Sequence, residues 1–167
     1  MAICKPSELK ARLTRNQTIL GLDLGTKTIG LALSDTTYIV ASPLSTITRR
    51  KFSHDAAELA VVIAQHNVGA LVIGLPRQMD GSEGSRAQST RSFAAELLKR
   101  QDIPIAFWDE RLSTAAVERM LTDEADMSRK RRAEVVDRAA AAYILQGALD
   151  SMRNEAGRAE VDRTGPV

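Results

Sequence analysis

Thr18-Ile-Leu-Gly-Leu-Asp-Leu-Gly25, then Thr26-Lys-Thr28, then Ile29-Gly-Leu-Ala-Leu-Ser34, is the stretch on which the fold turns. Apolar residues dominate both runs, and a glycine-led turn separates them, so they predict an antiparallel hairpin. In the first run Leu20, Leu22 and Leu24 point to one face and Ile19, Gly21 and Asp23 to the other. After the turn Asp35-Thr-Thr37, residues Tyr38 to Ile47 read as a third strand, and Pro43 inside it places that strand at an edge.

Beyond the hairpin the period changes. Ser53 to His66 carries Ala56, Leu59, Ala60, Ile63 and Ala64 on one helical stripe, with Ser53 as the expected N-cap. Ala70-Leu-Val-Ile-Gly-Leu75 is wholly apolar, as in a strand covered on both faces of a parallel sheet. Pro76 to Ser85 reads as a polar loop, Arg86 to Arg100 as a helix and Ile103 to Trp108 as a last strand. Ser113 to Leu121 reads as a helix, Thr122 to Ser128 as a loop, and Ala133 to Met152 as a strong final helix. Hairpins followed by crossovers predict an α/β domain over 18–152: a mixed five-stranded sheet, order 3-2-1-4-5 with strand 2 antiparallel, flanked by helices. The ribonuclease H-like fold has this element order. Residues 1–17 are a basic extension, a short helix or a loose tail, and 153–167 are expected to be a disordered tail.

Composition narrows the function. Of 167 residues, 23 are Lys or Arg and 21 Asp or Glu, a net charge of +2 that leaves room only for a local basic patch. The one cysteine, Cys4, excludes a disulfide framework or a cysteine zinc site within the chain, and a reduced, cytoplasmic setting follows. His54 and His66 are too few for a multi-histidine metal site and read as structural or exposed. No apolar run approaches the ~20 residues of a membrane span, so no membrane partner is expected. Aromatics at 4% argue against base stacking as the main binding device, and Trp108 reads as a packing anchor.

Three acids need an explanation. Asp23 lies in an apolar strand, where an unpaired carboxylate is costly, although Asp is also an ordinary turn residue. Glu110, beside Asp109, follows a buried strand at the end of the sheet where ligands bind, although it could equally pair with Arg111 on the surface. Asp137 shares a helical face with Ala141, Ile144, Leu145 and Ala148, the stripe facing the sheet, and sits too deep in its helix to be the cap. Carboxylates gathered from three segments repel one another unless cations lie between them. Oxygen-only ligands suit Mg²⁺ or Mn²⁺, and two such ions about 4 Å apart are a general device for attack of water on a phosphodiester.

At this point five motifs, in order, resemble the YqgF/RuvX family: Gly21-Leu-Asp-Leu-Gly-Thr-Lys-Thr-Ile-Gly30, Val72-Ile-Gly-Leu-Pro76, Met79-Asp-Gly-Ser-Glu83, Asp109-Glu-Arg-Leu-Ser-Thr114 and Val136-Asp-Arg-Ala-Ala140. The resemblance spans about Thr18 to Asp150. It implies a Holliday-junction-resolvase-like protein with a ribonuclease H-like fold, described as a nuclease maturing the precursor of small-subunit ribosomal RNA. It implies catalytic acids at Asp23, Glu110 and Asp137, which would hold the ions, with Asp109 as a further candidate ligand. RuvC-type resolvases carry an acid just after the strand equivalent to Ala70–Leu75. This chain has Gly74-Leu75-Pro76 there, so Glu110 must reach inward across a strand spacing of about 4.8 Å.

Lys27, Arg77, Arg86, Arg111 and the run Arg129-Lys-Arg-Arg132 are the expected holders of the nucleic-acid backbone. The expected partner is pre-ribosomal RNA. One alternative is branched DNA cut by a resolvase, which would need a dimer; the chain itself reads as a monomer or a homodimer. Another is a non-catalytic nucleic-acid-binding module. Asp23-Leu-Gly-Thr26 also resembles the phosphate loop of actin and sugar-kinase ATPases, but those need two such lobes and this chain has length for one.

Overall fold

β2 (Thr18–Leu24) and β3 (Thr28–Ser34) form the expected hairpin, with Asp23 opposite Gly30. The computed structural model describes residues 3–112 and 129–163, with side chains over 3–111 and 135–160. The expected helix at 113–121 and loop at 122–128 lie outside those residues. β4 (Ala41–Thr48) runs antiparallel to β3 at the sheet edge, and Pro43 sits there beside a bulge between Ala32 and Leu31. The strand starts at Ala41 rather than Tyr38 because Asp35 draws the preceding backbone into a loop. Its Oδ1 accepts the N–H groups of Ile39 (2.8 Å) and Val40 (3.1 Å).

On the other side of β2, β5 (Val68–Leu75) and then β6 (Ile105–Asp109) add in parallel. These five strands take the order expected, with only the second antiparallel. The sheet nevertheless has six strands, β1-β6-β5-β2-β3-β4. The expectation of five fails because β1 (Ile3–Cys4) pairs with β6 and is only two residues long, too short for alternation to register. The segment expected as a short helix or loose tail is therefore a strand followed by helix α1 (Pro6–Arg12), whose Leu9 is fully buried.

The alternation along β2 divides the core. Leu20, Leu22 and Leu24 pack under α2 (Phe52–Gln65) and α3 (Ser85–Leu98), against Leu59, Phe93 and Leu97. Ile19, with Ala70, Val72 and Ala106 from its neighbours, packs under α1 and α4 (Arg129–Arg163), against Ala141, Ile144 and Leu145. α2 begins one residue before the expected cap. Lys51 takes that position without a side-chain bond, and buried Asp55 accepts the Arg50 N–H at 3.0 Å instead. α4 exceeds its expected bounds at both ends, running on as helix through Arg163 where a disordered tail was expected from 153. Arg153 to Glu160 is exposed and has no apolar stripe, so periodicity could not reveal it, although most of its residues favour helix.

α4 lies directly on the sheet because glycines lie beneath it. A Cβ on Gly21 would stand 2.8 Å from Leu145 Cβ, and one on Gly30 would run into the Asp137 carbonyl. This backbone-on-backbone approach at Gly30 brings the first third of α4 over the β2–β3 hairpin.

Candidate active site

Asp23 is the next-to-last residue of β2, on the face that α4 covers. Asp137 arrives on that same face because α4 passes over Gly30, the residue paired with Asp23. Thr28 Oγ1, across the hairpin, donates a hydrogen bond to Asp137 Oδ2 and fixes its side chain. Glu110 opens a short 3-10 turn (Glu110–Leu112) immediately after β6.

Glu110 was the hardest reach to account for, and Gly74 provides the path. β5 lies between β6 and β2, with Gly74 paired to Trp108. A Cβ on Gly74 would collide with Glu110 Oε1 and Cγ and with Ile144 Cδ1. The Glu110 side chain therefore lies across a position where β5 has no side chain, and it reaches Asp23. The gap that Gly74 leaves in β5 is where the acid of the next strand passes. We expect Gly74→Ala to displace Glu110 from Asp23. Turnover should fall ~10²-fold or more, on the scale of losing one preorganised electrostatic contact, while the circular dichroism spectrum stays that of the parent. Unchanged turnover would show that Glu110 need not cross there.

The acids share their charge. Burial pushes the Glu110 carboxyl up to about 8, reinforced by repulsion from Asp23 and by donation of its proton in a hydrogen bond to Asp23. Burial also holds Asp23 above the usual carboxylate range. The bond from Glu110 draws it back down, Asp137 pushes it up, and Arg86 draws it down. Two acids thus press on each other beside a third, and a cation there would relieve the repulsion.

Oxygen donors alone, from Asp23, Glu110 and Asp137, suit a hard divalent ion. Among the described residues no three acids already converge at ligating distance around one point. Asp23 and Glu110 are turned to each other and Asp137 to Thr28. The set fits such an ion in chemistry and in charge.

Asp109 is not part of this cluster. Arg111 grips it with Nε at 2.9 and 3.1 Å and Nη2 at 2.6 Å, and this holds the Asp109 carboxyl below its ordinary range. Arg111 is correspondingly occupied. Arg77 lies 3.9 Å from Glu83, which Arg91 also grips at 2.6 Å. Of the expected backbone holders, Arg86 is close enough to act electrostatically on Asp23 and Glu110, and Lys27 is exposed in the β2–β3 turn. Arg129, Lys130, Arg131 and Arg132 form the start of α4, and their side chains lie outside the described residues. Trp108 is half-buried and its indole packs over Gly147 of α4, a packing role.

Two site residues escaped the sequence reading. Thr28 bonds a partner 109 residues away, a distance at which no local pattern operates. Arg49, just after β4, donates from Nη1 to the Gly25 carbonyl at 2.7 Å and from its backbone N–H to the Lys27 carbonyl at 2.8 Å, so it holds the turn that follows Asp23. The basic run Arg49-Arg-Lys51 was its only signal.

Comparison with known proteins follows the same line. The family described as RuvX, Holliday junction resolvase, matches residues 17–151. A protein of Paramagnetospirillum magneticum is 62% identical over 151 residues, covering 90% of this chain and 97% of that protein. One of Roseobacter denitrificans is 61% identical over 149 residues, covering 88% and 91%. Both carry the name "Putative pre-16S rRNA nuclease". Among solved structures, Thermus thermophilus RuvC in complex with a Holliday junction substrate superposes with a TM-score of 0.53 at 13% identity, over 83% of this chain and 96% of that one. The fowlpox virus resolvase in complex with Holliday junction DNA gives 0.52 at 10% identity, over 81% and 99%. At these identities the two structures speak for the fold alone.

Proposed function

The chain belongs to the RuvX family, and from that premise we propose that it is a nuclease that hydrolyses phosphodiesters in the precursor of 16S ribosomal RNA with the help of divalent ions. The observation that carries the chemistry is geometric: Glu110 crosses Gly74 to meet Asp23, and Thr28 holds Asp137 over the same hairpin, at one end of the sheet. A site built to work without cations would have little reason to gather three half-buried acids.

The roles follow from position. Asp23, Glu110 and Asp137 are the residues that would hold the divalent ions, with Asp23 between the other two acids. Mg²⁺ or Mn²⁺ bound there would supply Lewis acidity, activating a water and stabilising the leaving oxygen. Thr28 keeps the Asp137 carboxylate turned toward the hairpin. Arg86, at the start of α3, tempers the negative charge and is placed to meet a phosphate oxygen. By resemblance to related nucleases the products would carry a 5′-phosphate and a 3′-hydroxyl.

A direct test offers the purified protein an RNA spanning the 5′ leader of 16S precursor and, separately, a four-way DNA junction, in Mg²⁺ or Mn²⁺. Cleavage of the RNA that stops on chelation is expected. Preference for the junction, with symmetric cuts by a stable dimer, would favour the resolvase reading that the family description also carries.

A further inference from the structure

The opposite face of the Asp23 strand end carries a second feature. Leu24, Gly25 and Thr26, with Arg49, Arg86, Ser89 and Thr90, line a cleft of about 90 Å³. Asp23 faces α4, whereas Leu24, one residue on, faces α3, so the cleft adjoins the acids without containing them. Its volume is several times what one water needs, enough for a tetrahedral anion. Its walls are cationic and hydroxylic. Arg49 uses Nη1 on the Gly25 carbonyl and rests 5.9 Å from the Phe93 ring, which holds its guanidinium in place with further N–H donors to spare. Arg86 and Ser89 stand one turn apart on α3, and Thr26 supplies a hydroxyl from the turn. Arg77, Arg91 and Arg111 are all taken by carboxylates, whereas among the described residues neither Arg49 nor Arg86 is in an ion pair.

We propose that this cleft is a phosphate subsite, in which Arg49 and Arg86 together grip a backbone phosphate of the nucleic-acid strand next to the one being cut. The proposal rests on the nuclease reading and deepens it, since it sets the path of the strand over the end of β2. An exposed pair of arginines would attract any polyanion. A guanidinium already fixed by a backbone carbonyl and a ring is preorganised for one phosphate, and that is the distinguishing claim.

The test measures binding of a labelled RNA oligonucleotide in chelator, in the Asp23→Asn background, so that neither ions nor cleavage contribute. Arg49→Gln keeps a polar side chain and loses the charge; Arg86→Gln alters an exposed position on α3. Melting temperatures check that both fold. Each single change should weaken binding roughly tenfold, the scale of a charge-assisted hydrogen bond. Each should also flatten the dependence of log K on log salt by about 0.7–1. Because both grip one phosphate, the double variant should lose clearly less than the product of the two single losses. Affinity unchanged in both single variants, or losses that simply multiply, would overturn the subsite. ATP, added as competitor, should displace the oligonucleotide only weakly. ATP binding tighter than the oligonucleotide and dependent on Arg49 would overturn the backbone as the source of the phosphate. The two readings fail separately: cleavage with no effect of Arg49→Gln or Arg86→Gln sinks the subsite alone. Coupled binding losses in a protein that never cuts would sink the nuclease reading alone.

Discussion

Asp23→Asn should abolish cleavage, with a loss of about 10³-fold or more, while the protein melts no lower than the parent in chelator. The activity loss follows because Asp23 is the one acid in contact with both others, by hydrogen bond to Glu110 and by charge to Asp137. Losing even one preorganised electrostatic group costs an enzyme ~10²–10³ in turnover, and Asp23 is the acid the other two converge on. The stability half is the sharper discriminator. A buried carboxylate held above its usual range is a net burden on the fold, and a neutral amide of the same shape removes it. A structural Asp, one that ties the turn after β2, would behave oppositely and lower the melting temperature on substitution. Parallel assays of turnover and thermal melting separate the two, and residual activity equal to wild type would expose a contaminating nuclease.

Gly30→Ala is the second change with a large expected effect, this time through packing. The added methyl would occupy the space of the Asp137 carbonyl, which is helix backbone and cannot swing aside as a side chain could. Overpacking of this kind costs typically about 1–3 kcal/mol. For a domain of this size that is a fall in melting temperature of roughly 3–10 °C. Relief requires α4 to lift from the hairpin, which carries Asp137 away from Asp23, so activity should fall further than stability does. Gly157→Ala is the matched control. Nothing lies within 4 Å of that position on the same helix, and removing a helical glycine there should stabilise by about 0.5–1 kcal/mol. A Gly30→Ala variant as stable and active as wild type would mean that α4 does not sit on the sheet as described.

What the sequence made legible was set by periodicity and burial. The hairpin, the parallel order of β5 and β6 and the face that Asp137 occupies all follow from apolar spacing, which points the three acids toward one end of the sheet. β1 was too short to show a period, and the end of α4 had no apolar face to show one. The site needed more. Gly74 reads in sequence as an interruption of an apolar strand, and only the register of β5 between β2 and β6 turns it into the passage for Glu110. Asp109 and Arg111 are two residues apart in sequence, and only the fold shows that each is taken up by the other. Thr28 and Arg49 act through partners brought close by the fold, which no spacing rule records.

The central claim is that a divalent ion binds where Glu110 meets Asp23, and calorimetric titration of Mn²⁺ into the ion-free protein tests it most directly. Glu110 is raised from an ordinary 4.5 to about 8, so between those values the ion-free site keeps a proton that the bound site must expel. Affinity should therefore rise with pH through that window and level off above about pH 8. At pH 7, runs in buffers of different ionisation enthalpy should show about one proton released per binding event. Asp23→Asn and Glu110→Gln should each remove most of the binding. Mn²⁺ bound equally by wild type and Asp23→Asn, with no proton released, would contradict the account.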